Sequence, residues 1–138
     1  MLRCANELAA FLLSARTSYT SEVLRLRAGH AGLVRLDAIA ADQLVGGLLF
    51  SAAEMLAREN EGPLEFYLEV GVEGLRSRGE ELPAFVGSMA AFFVRVIEEV
   101  VRTFPLEHTD EVISWLQRFC GAYLGGSVEV WNRQQAAN

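Results

Sequence analysis

The stretch that decides the fold is residues 82–104, LPAFVGSMAAFFVRVIEEVVRTF. Its apolar residues recur every three or four positions and form one continuous stripe on a helix, with Phe93 near its centre. Arg95, Glu98 and Arg102 fall on the opposite side. Pro105 follows directly and ends a helix, because its ring blocks the preceding turn. The pattern predicts a long amphipathic helix packed against the core of a helical domain.

Helical periodicity also covers the neighbouring segments. Residues 63–78, with Pro63 at the start, and residues 109–133 predict two further helices. Residues 36–58 predict another, in which Gly46 and Gly47 indicate a close neighbour or a bend, because glycine is costly inside a helix. Its expected buried positions are Leu36, Ile39, Ala40, Leu44, Leu48, Ala52, Met55 and Leu56.

The first third of the chain is helical but less regular, with a break around His30. Extended alternation does not persist anywhere in the sequence. No linker or repeat divides the 138 residues, and 51% of them are apolar, which suits one core. We therefore expect an all-α fold and a single domain over residues 1–138.

Charge and composition exclude several classes of partner. The net charge is −6, and the 12 basic residues, all arginines, are spread along the chain, so no basic face for nucleic acid is expected. The longest uncharged apolar run, residues 82–94, is too short to span a membrane and contains Pro83. Cys4 and Cys120 form neither a CxxC pair nor a disulfide framework, and a cytoplasmic location is the expectation.

The residues that carry catalysis or bind metals are sparse. Only two histidines occur, His30 and His108, and neither belongs to a metal-binding pair. The acids of residues 63–78 lie on an otherwise polar face that predicts solvent exposure rather than an acid–base pair. No nucleophile elbow or phosphate-binding loop is present. The sequence predicts no enzyme and no cofactor.

Several segments carry a family resemblance. They are Leu82-Pro83-Ala84-Phe85, the apolar run through Met89 and Phe92-Phe93, Trp115-Leu116-Gln117-Arg118-Phe119, and Trp131-Asn132. With the helix order, these segments resemble the N-terminal sensor domain of bacterial stressosome RsbR proteins, best over residues 35–133.

The resemblance implies a globin-like domain of five to seven helices without haem. The haem-binding histidine of a globin would then lie in residues 63–78, which contain none. It also implies a homodimer that acts on other stressosome proteins through a C-terminal STAS effector domain. No STAS domain is present in this chain, so the expectation is an excised sensor domain or a stand-alone relative.

The expected function is non-catalytic sensing of a stress signal, relayed through the dimer to an effector domain. The last helix is the expected dimer contact, unless Trp131 only covers the core of its own chain. The candidate interface residues are Trp115, Gly121, Tyr123, Gly125, Val128 and Trp131.

Two alternatives stay open at this stage. One is a globin-type sensor that binds haem or another small molecule, and the other is a helical adaptor for protein interactions. A ligand cavity would be lined by Phe66, Phe92, Phe93 and Phe119, although ordinary core packing also explains these rings.

Overall fold

The computed structural model describes residues 2–104 and 106–137, which contain six α-helices and no strand. The all-α class is confirmed, and six helices lie within the expected five to seven. The helices are α1 Ala5–Ser14, α2 Arg16–Leu26, α3 Ala38–Arg58, α4 Gly62–Ser77, α5 Leu82–Thr103 and α6 Thr109–Ala137. Short 3-10 turns cover Arg27–Gly29, Ala31–Leu33 and Leu106–His108.

Two helices organise the packing. Helix α3 contacts α1 and α2 on one side and α4 on another, while α6 contacts α4 and α5. Helix α5 also packs on α2 and on the turn Ala31–Leu33. These pairings surround one core and are consistent with a globin-like class, in which helices pack pairwise around a central region.

Helix α5 forms as its periodicity predicts. Its buried apolar residues are Leu82, Phe85, Met89, Phe92, Phe93, Val96 and Val100. The Phe93 ring meets the ring of Tyr123 from α6 edge to face, with centroids 5.5 Å apart. This contact joins the two long helices at the centre of the core.

The buried face of α3 differs from the predicted one. Ile39 was expected inside and is 71% exposed, whereas Ala41 and Val45 are fully buried. The helix begins after Asp37, whose carboxylate accepts a hydrogen bond from the Ala40 backbone N–H at 2.7 Å. Leu36 is buried, but it precedes this cap and is not part of the helix. Its burial therefore does not indicate which residues of α3 face the core.

The two glycines of α3 have the close neighbours that the sequence predicts. A side chain at Gly46 would overlap the guanidinium of Arg16, and one at Gly47 would overlap the ring of Tyr67. Arg16 also bonds both carboxylate oxygens of Asp42, at 3.0 and 2.8 Å. Helix α3 therefore packs closely against both α2 and α4.

By length and composition alone, α3 could cross a membrane; it is the one helix of the described residues that could. A core helix passes the same test, and 44% of the apolar window in α3 is buried within the fold. The observation is weak evidence for a membrane span.

Candidate functional site

Helices α3 and α4 are in direct contact, and Tyr67 lies at that contact. The Tyr67 ring rests on Gly47, and its hydroxyl donates a hydrogen bond of 2.6 Å to the backbone carbonyl of Leu44. Burial raises the pKa of the Tyr67 phenol well above its usual range. The ring is thus a neutral, hydrogen-bonded wedge that joins the two helices directly.

These residues do not fit a haem. Helix α4, Gly62–Ser77, contains no histidine to hold the iron. The Tyr67 side chain also packs helix α4 directly against α3. His30 lies between two 3-10 turns, and His108 lies in the turn before α6. Neither histidine belongs to α3 or α4.

The far half of α6 is tied to α4 by polar contacts. Arg76 donates a hydrogen bond of 2.8 Å to the backbone carbonyl of Trp131, and its guanidinium lies 4.2 Å from the centre of the Trp131 ring. Two and three residues further along, Arg133 and Gln134 both bond Glu69. These contacts connect α4 to the last turns of α6.

Three of the six candidate interface residues share an exposed face of α6: Gly121, Gly125 and Val128. A side chain added at Gly121 or Gly125 would meet no atom within 4 Å. Gly126 differs, because a Cβ there would lie 2.7 Å from a Leu68 methyl group. Packing within the chain therefore requires a glycine at position 126, but it does not require glycine at positions 121 and 125.

The other three interface candidates do not lie on this exposed face, and the prediction that Tyr123 lies at the dimer interface is wrong. Tyr123 is 4% exposed and belongs to the core against Phe93, so it presents no surface to a partner. Trp115 and Trp131 are half-buried, Trp115 stacked on Phe119 and Trp131 under Arg76. The sequence pattern could not separate these faces, because α6 is apolar on more than one side.

The proposed cavity lining is wrong at Phe66, whose side chain is 71% exposed. The adjacent Tyr67 takes the inward position on α4 instead. Phe92, Phe93 and Phe119 are buried, and Phe92 and Phe93 lie 5.8 Å apart within the core. The four phenylalanines therefore do not line one cavity together.

An open groove of about 820 Å³ lies along the N-terminal half of α6, and the sequence analysis did not predict it. Its aromatic wall is Trp115 stacked on Phe119, with ring centroids 5.5 Å apart and planes at 8°. We call it the acidic groove, because two pairs of acids line it. The full lining is Leu2, Met55, Leu56, Glu59, Glu61, Asp110, Glu111, Ser114, Trp115, Arg118, Phe119 and Ala122.

The acids of this groove come from two elements far apart in sequence. Glu59 and Glu61 stand at the corner between α3 and α4, and Asp110 and Glu111 stand in the first turn of α6. Glu59 adopts a left-handed backbone conformation with φ 52°, unusual for a residue with a side chain. The helix-start position of Asp110 was the available sequence signal, but it does not reveal that the two pairs line one groove.

The remaining reactive groups are unremarkable in chemistry. Burial raises the pKa of the Cys4 thiol, and it raises the pKa of Cys120 to about 12, so neither thiol ionises readily near neutral pH. Within residues 2–104 and 106–137, no group of three or more histidine, cysteine or acidic side chains could hold a metal ion.

The fold and these contacts define a class: an all-α, globin-like domain with a closed α3–α4 contact and an acidic groove. Comparison with protein-family models, curated proteins and solved structures finds no match for the chain.

Proposed function

We propose that this chain is a non-catalytic sensor domain of a bacterial, cytoplasmic RsbR-like stressosome regulator. It would relay a stress signal through a homodimer to a C-terminal effector domain, and through that domain to other stressosome proteins. The observation that carries the proposal is the Tyr67 ring, which closes the contact between α3 and α4 of a globin-like body. It favours a haem-free sensor over a haem-binding one.

The relay is proposed to run along α6. The bonds from Arg76 to Trp131 and from Arg133 to Glu69 couple the position of α4 to the end of α6, which continues to Ala137. A signal that changes how α4 packs would shift the balance between two arrangements of α6. An effector domain attached beyond α6 would receive that change.

The dimer contact is proposed to be the exposed face of α6 that contains Gly121, Gly125 and Val128. Each glycine in an exposed helix interior costs about 0.5–1 kcal/mol relative to alanine. No contact within the chain requires Gly121 or Gly125, since a side chain there would meet open space. A second α6 that approaches closely along this face gives both glycines a reason, and two-fold pairing is common among soluble oligomers.

Light scattering at micromolar concentration tests this proposal. Wild type should have the mass of a dimer, and a Gly125→Glu, Val128→Glu double variant should have the mass of a monomer, because the charges would face each other across the two-fold axis. Val94→Glu on α5 is the matched control, since Val94 is comparably exposed, and it should remain dimeric.

A monomeric wild type would contradict the dimer relay. A dimer that survives the double variant but not Val94→Glu would place the interface on α5. Circular dichroism of each variant establishes that a change of mass is not a loss of fold.

A further inference from the structure

We propose that the two α6 helices of the homodimer cross antiparallel, so that Arg118 of each chain pairs with the partner's Glu129. This inference rests on the proposed function, because it requires a homodimer formed through α6. It depends on three properties of α6: the position of its exposed glycines, the placement of two unpaired charges, and the geometry that a two-fold axis imposes on them.

One face of α6 is exposed along most of the helix. Ser114, Arg118, Gly121, Gly125 and Val128 are all exposed, and they recur at alternating steps of four and three residues. This spacing places them on one stripe, as in the seam of a coiled coil. The stripe is narrowest at the two glycines, where a side chain would meet open space. A second α6 therefore approaches most closely between them, near position 123.

Two charges of opposite sign flank these glycines. Arg118 and Glu129 are exposed, and neither takes part in an ion pair within the described residues. They lie eleven positions apart, close to three full helical turns, so they share the same flank of the stripe. Their midpoint falls between positions 123 and 124, and the midpoint of Gly121 and Gly125 is position 123. The glycines and the charges therefore have nearly the same centre.

A two-fold axis through this centre, perpendicular to α6, brings the charges together. It reverses the second helix and places each flank of α6 beside the same flank of the partner helix. Arg118 then lies beside the partner's Glu129, and the symmetric pair forms on the other side of the axis. Each pair is about 8 Å along the helix from the crossing, a distance that follows from the rise per residue. Two long side chains can meet there in a charge-assisted hydrogen bond.

A parallel pairing does not bring these charges together. In that arrangement Arg118 and the partner's Arg118 lie at the same level, and the partner's Glu129 is about 16 Å further along the helix. The charges beside a helical seam set the orientation of the two helices, because like charges at one level repel and opposite charges attract. Arg118 and Glu129 therefore favour the antiparallel arrangement.

The antiparallel crossing makes the proposed relay act between the two chains. Asn132 of one chain lies at the level of Ser114 in the other chain, because these two positions also have their midpoint at position 123. Ser114 lines the acidic groove, and the turn that contains Asn132 is held to α4 by the bond from Arg76 to the Trp131 carbonyl. The relay would therefore connect α4 of one chain with the groove of the other, and the two effector domains would lie at opposite ends of the dimer.

Charge exchange tests the pairing, with the dimer Kd measured by sedimentation equilibrium. Arg118→Glu would face the partner's Glu129, and Glu129→Arg would face the partner's Arg118. Each single variant should therefore raise the Kd by at least about tenfold. The double variant Arg118→Glu, Glu129→Arg restores opposite charges and should return the Kd to within about threefold of wild type.

The matched controls change charge elsewhere on the surface. Arg102 on α5 is exposed and, like Arg118, has no ion pair within the described residues. Glu73 on α4 is exposed in the same way as Glu129. Arg102→Glu and Glu73→Arg change the net charge by the same amounts and should leave the Kd unchanged. Circular dichroism of every variant verifies that the helical fold is intact.

The distance between two spin labels measures the orientation directly. Cys4 and Cys120 are replaced by alanine, and a label is attached at Gln135, which is exposed near the end of α6. In the antiparallel dimer the two labels should lie about 35 Å apart, because each is about 18 Å along the helix from the crossing. A parallel dimer would bring them to about 20 Å or less. Sedimentation verifies that the labelled protein is a dimer.

Three results would overturn the antiparallel pairing while the homodimer stands. They are single variants that dimerise as tightly as wild type, a double variant that dimerises no better than the single variants, and a short label distance in a protein that is still a dimer. A wild type that is monomeric at micromolar concentration would overturn the proposed dimer itself, and this inference with it. The two failures are therefore distinguishable.

Discussion

The α3–α4 contact and the acidic groove are two separate regions of the molecule, and they use aromatic rings in opposite ways. At the first, Tyr67 is seated on a glycine and hydrogen-bonded to Leu44, so the ring joins two helices. At the second, Trp115 and Phe119 stack on each other and face an open volume edged with carboxylates. In this molecule, the ring that faces a glycine closes a contact between two helices, whereas the stacked rings of α6 form one wall of an open groove.

The difference also assigns roles to the two halves of α6. The half near Trp131 is held by bonds to α4, whereas the half near Trp115 lines a space that a ligand could fill. Changes in the closed region should therefore cost stability, and changes in the groove should cost little stability or even increase it.

The largest expected effect is that of Phe93→Ala in the core beside Tyr123. Phe93 is 6% exposed and contacts two aromatic rings, so its truncation should destabilise the fold by about 3–5 kcal/mol. Chemical denaturation followed by circular dichroism measures this loss. A midpoint that coincides with wild type would mean that the buried stripe of α5 is misplaced. Val94→Ala, at an exposed position next in sequence, is the control and should change stability little.

A smaller loss is expected for Gly47→Ala, which tests the closed contact itself. The new methyl group would overlap the Tyr67 ring, and the resulting overpacking should cost about 1–3 kcal/mol. Gly121→Ala adds the same methyl group to open space on α6 and should raise monomer stability by about 0.5–1 kcal/mol. If thermal melting ranks the two variants equally, Tyr67 does not wedge the helices as described.

Of the core, the α3–α4 contact and the groove, the groove should show the smallest effect on stability, and that effect should be a gain. Glu59→Gly should stabilise the fold by about 1 kcal/mol, because a side chain pays a steric cost at φ 52° that glycine avoids. Glu61→Gly removes the same charge at φ −90°, where glycine has no such advantage, and should not stabilise. Melting curves that show equal gains for both would attribute the effect to charge rather than to backbone conformation.

The sequence predicts the helices better than the contacts between them. Helices α4 and α5 follow their apolar periodicity closely, and α6 begins where Thr109 and Asp110 predict. The phase of α3 was wrong at Ile39, because a cap at Asp37 separates Leu36 from the helix. Periodicity indicates which residues share a helix face, but it does not show at which residue the helix begins.

The sites were harder to predict, for a physical reason. Gly47 indicated a close neighbour, yet nothing local identifies that neighbour as Tyr67, 20 positions along the chain. The groove joins Glu59 and Asp110 across about 50 positions, so no window of sequence contains both. Exposed Phe66 and half-buried Tyr67 are adjacent aromatics, and only the direction in which α4 faces α3 decides which of them points inward.

The central claim is that this domain does not bind haem, because Tyr67 closes the α3–α4 contact and α4 contains no histidine, and an absorbance titration with haemin tests it most directly. We expect purified protein to be colourless and to give no sharp, stoichiometric Soret band when haemin is added, because α4 offers no histidine and Tyr67 occupies the contact. A sharp Soret band in wild type that His30→Ala or His108→Ala abolishes would contradict the account and establish a haem-binding sensor instead.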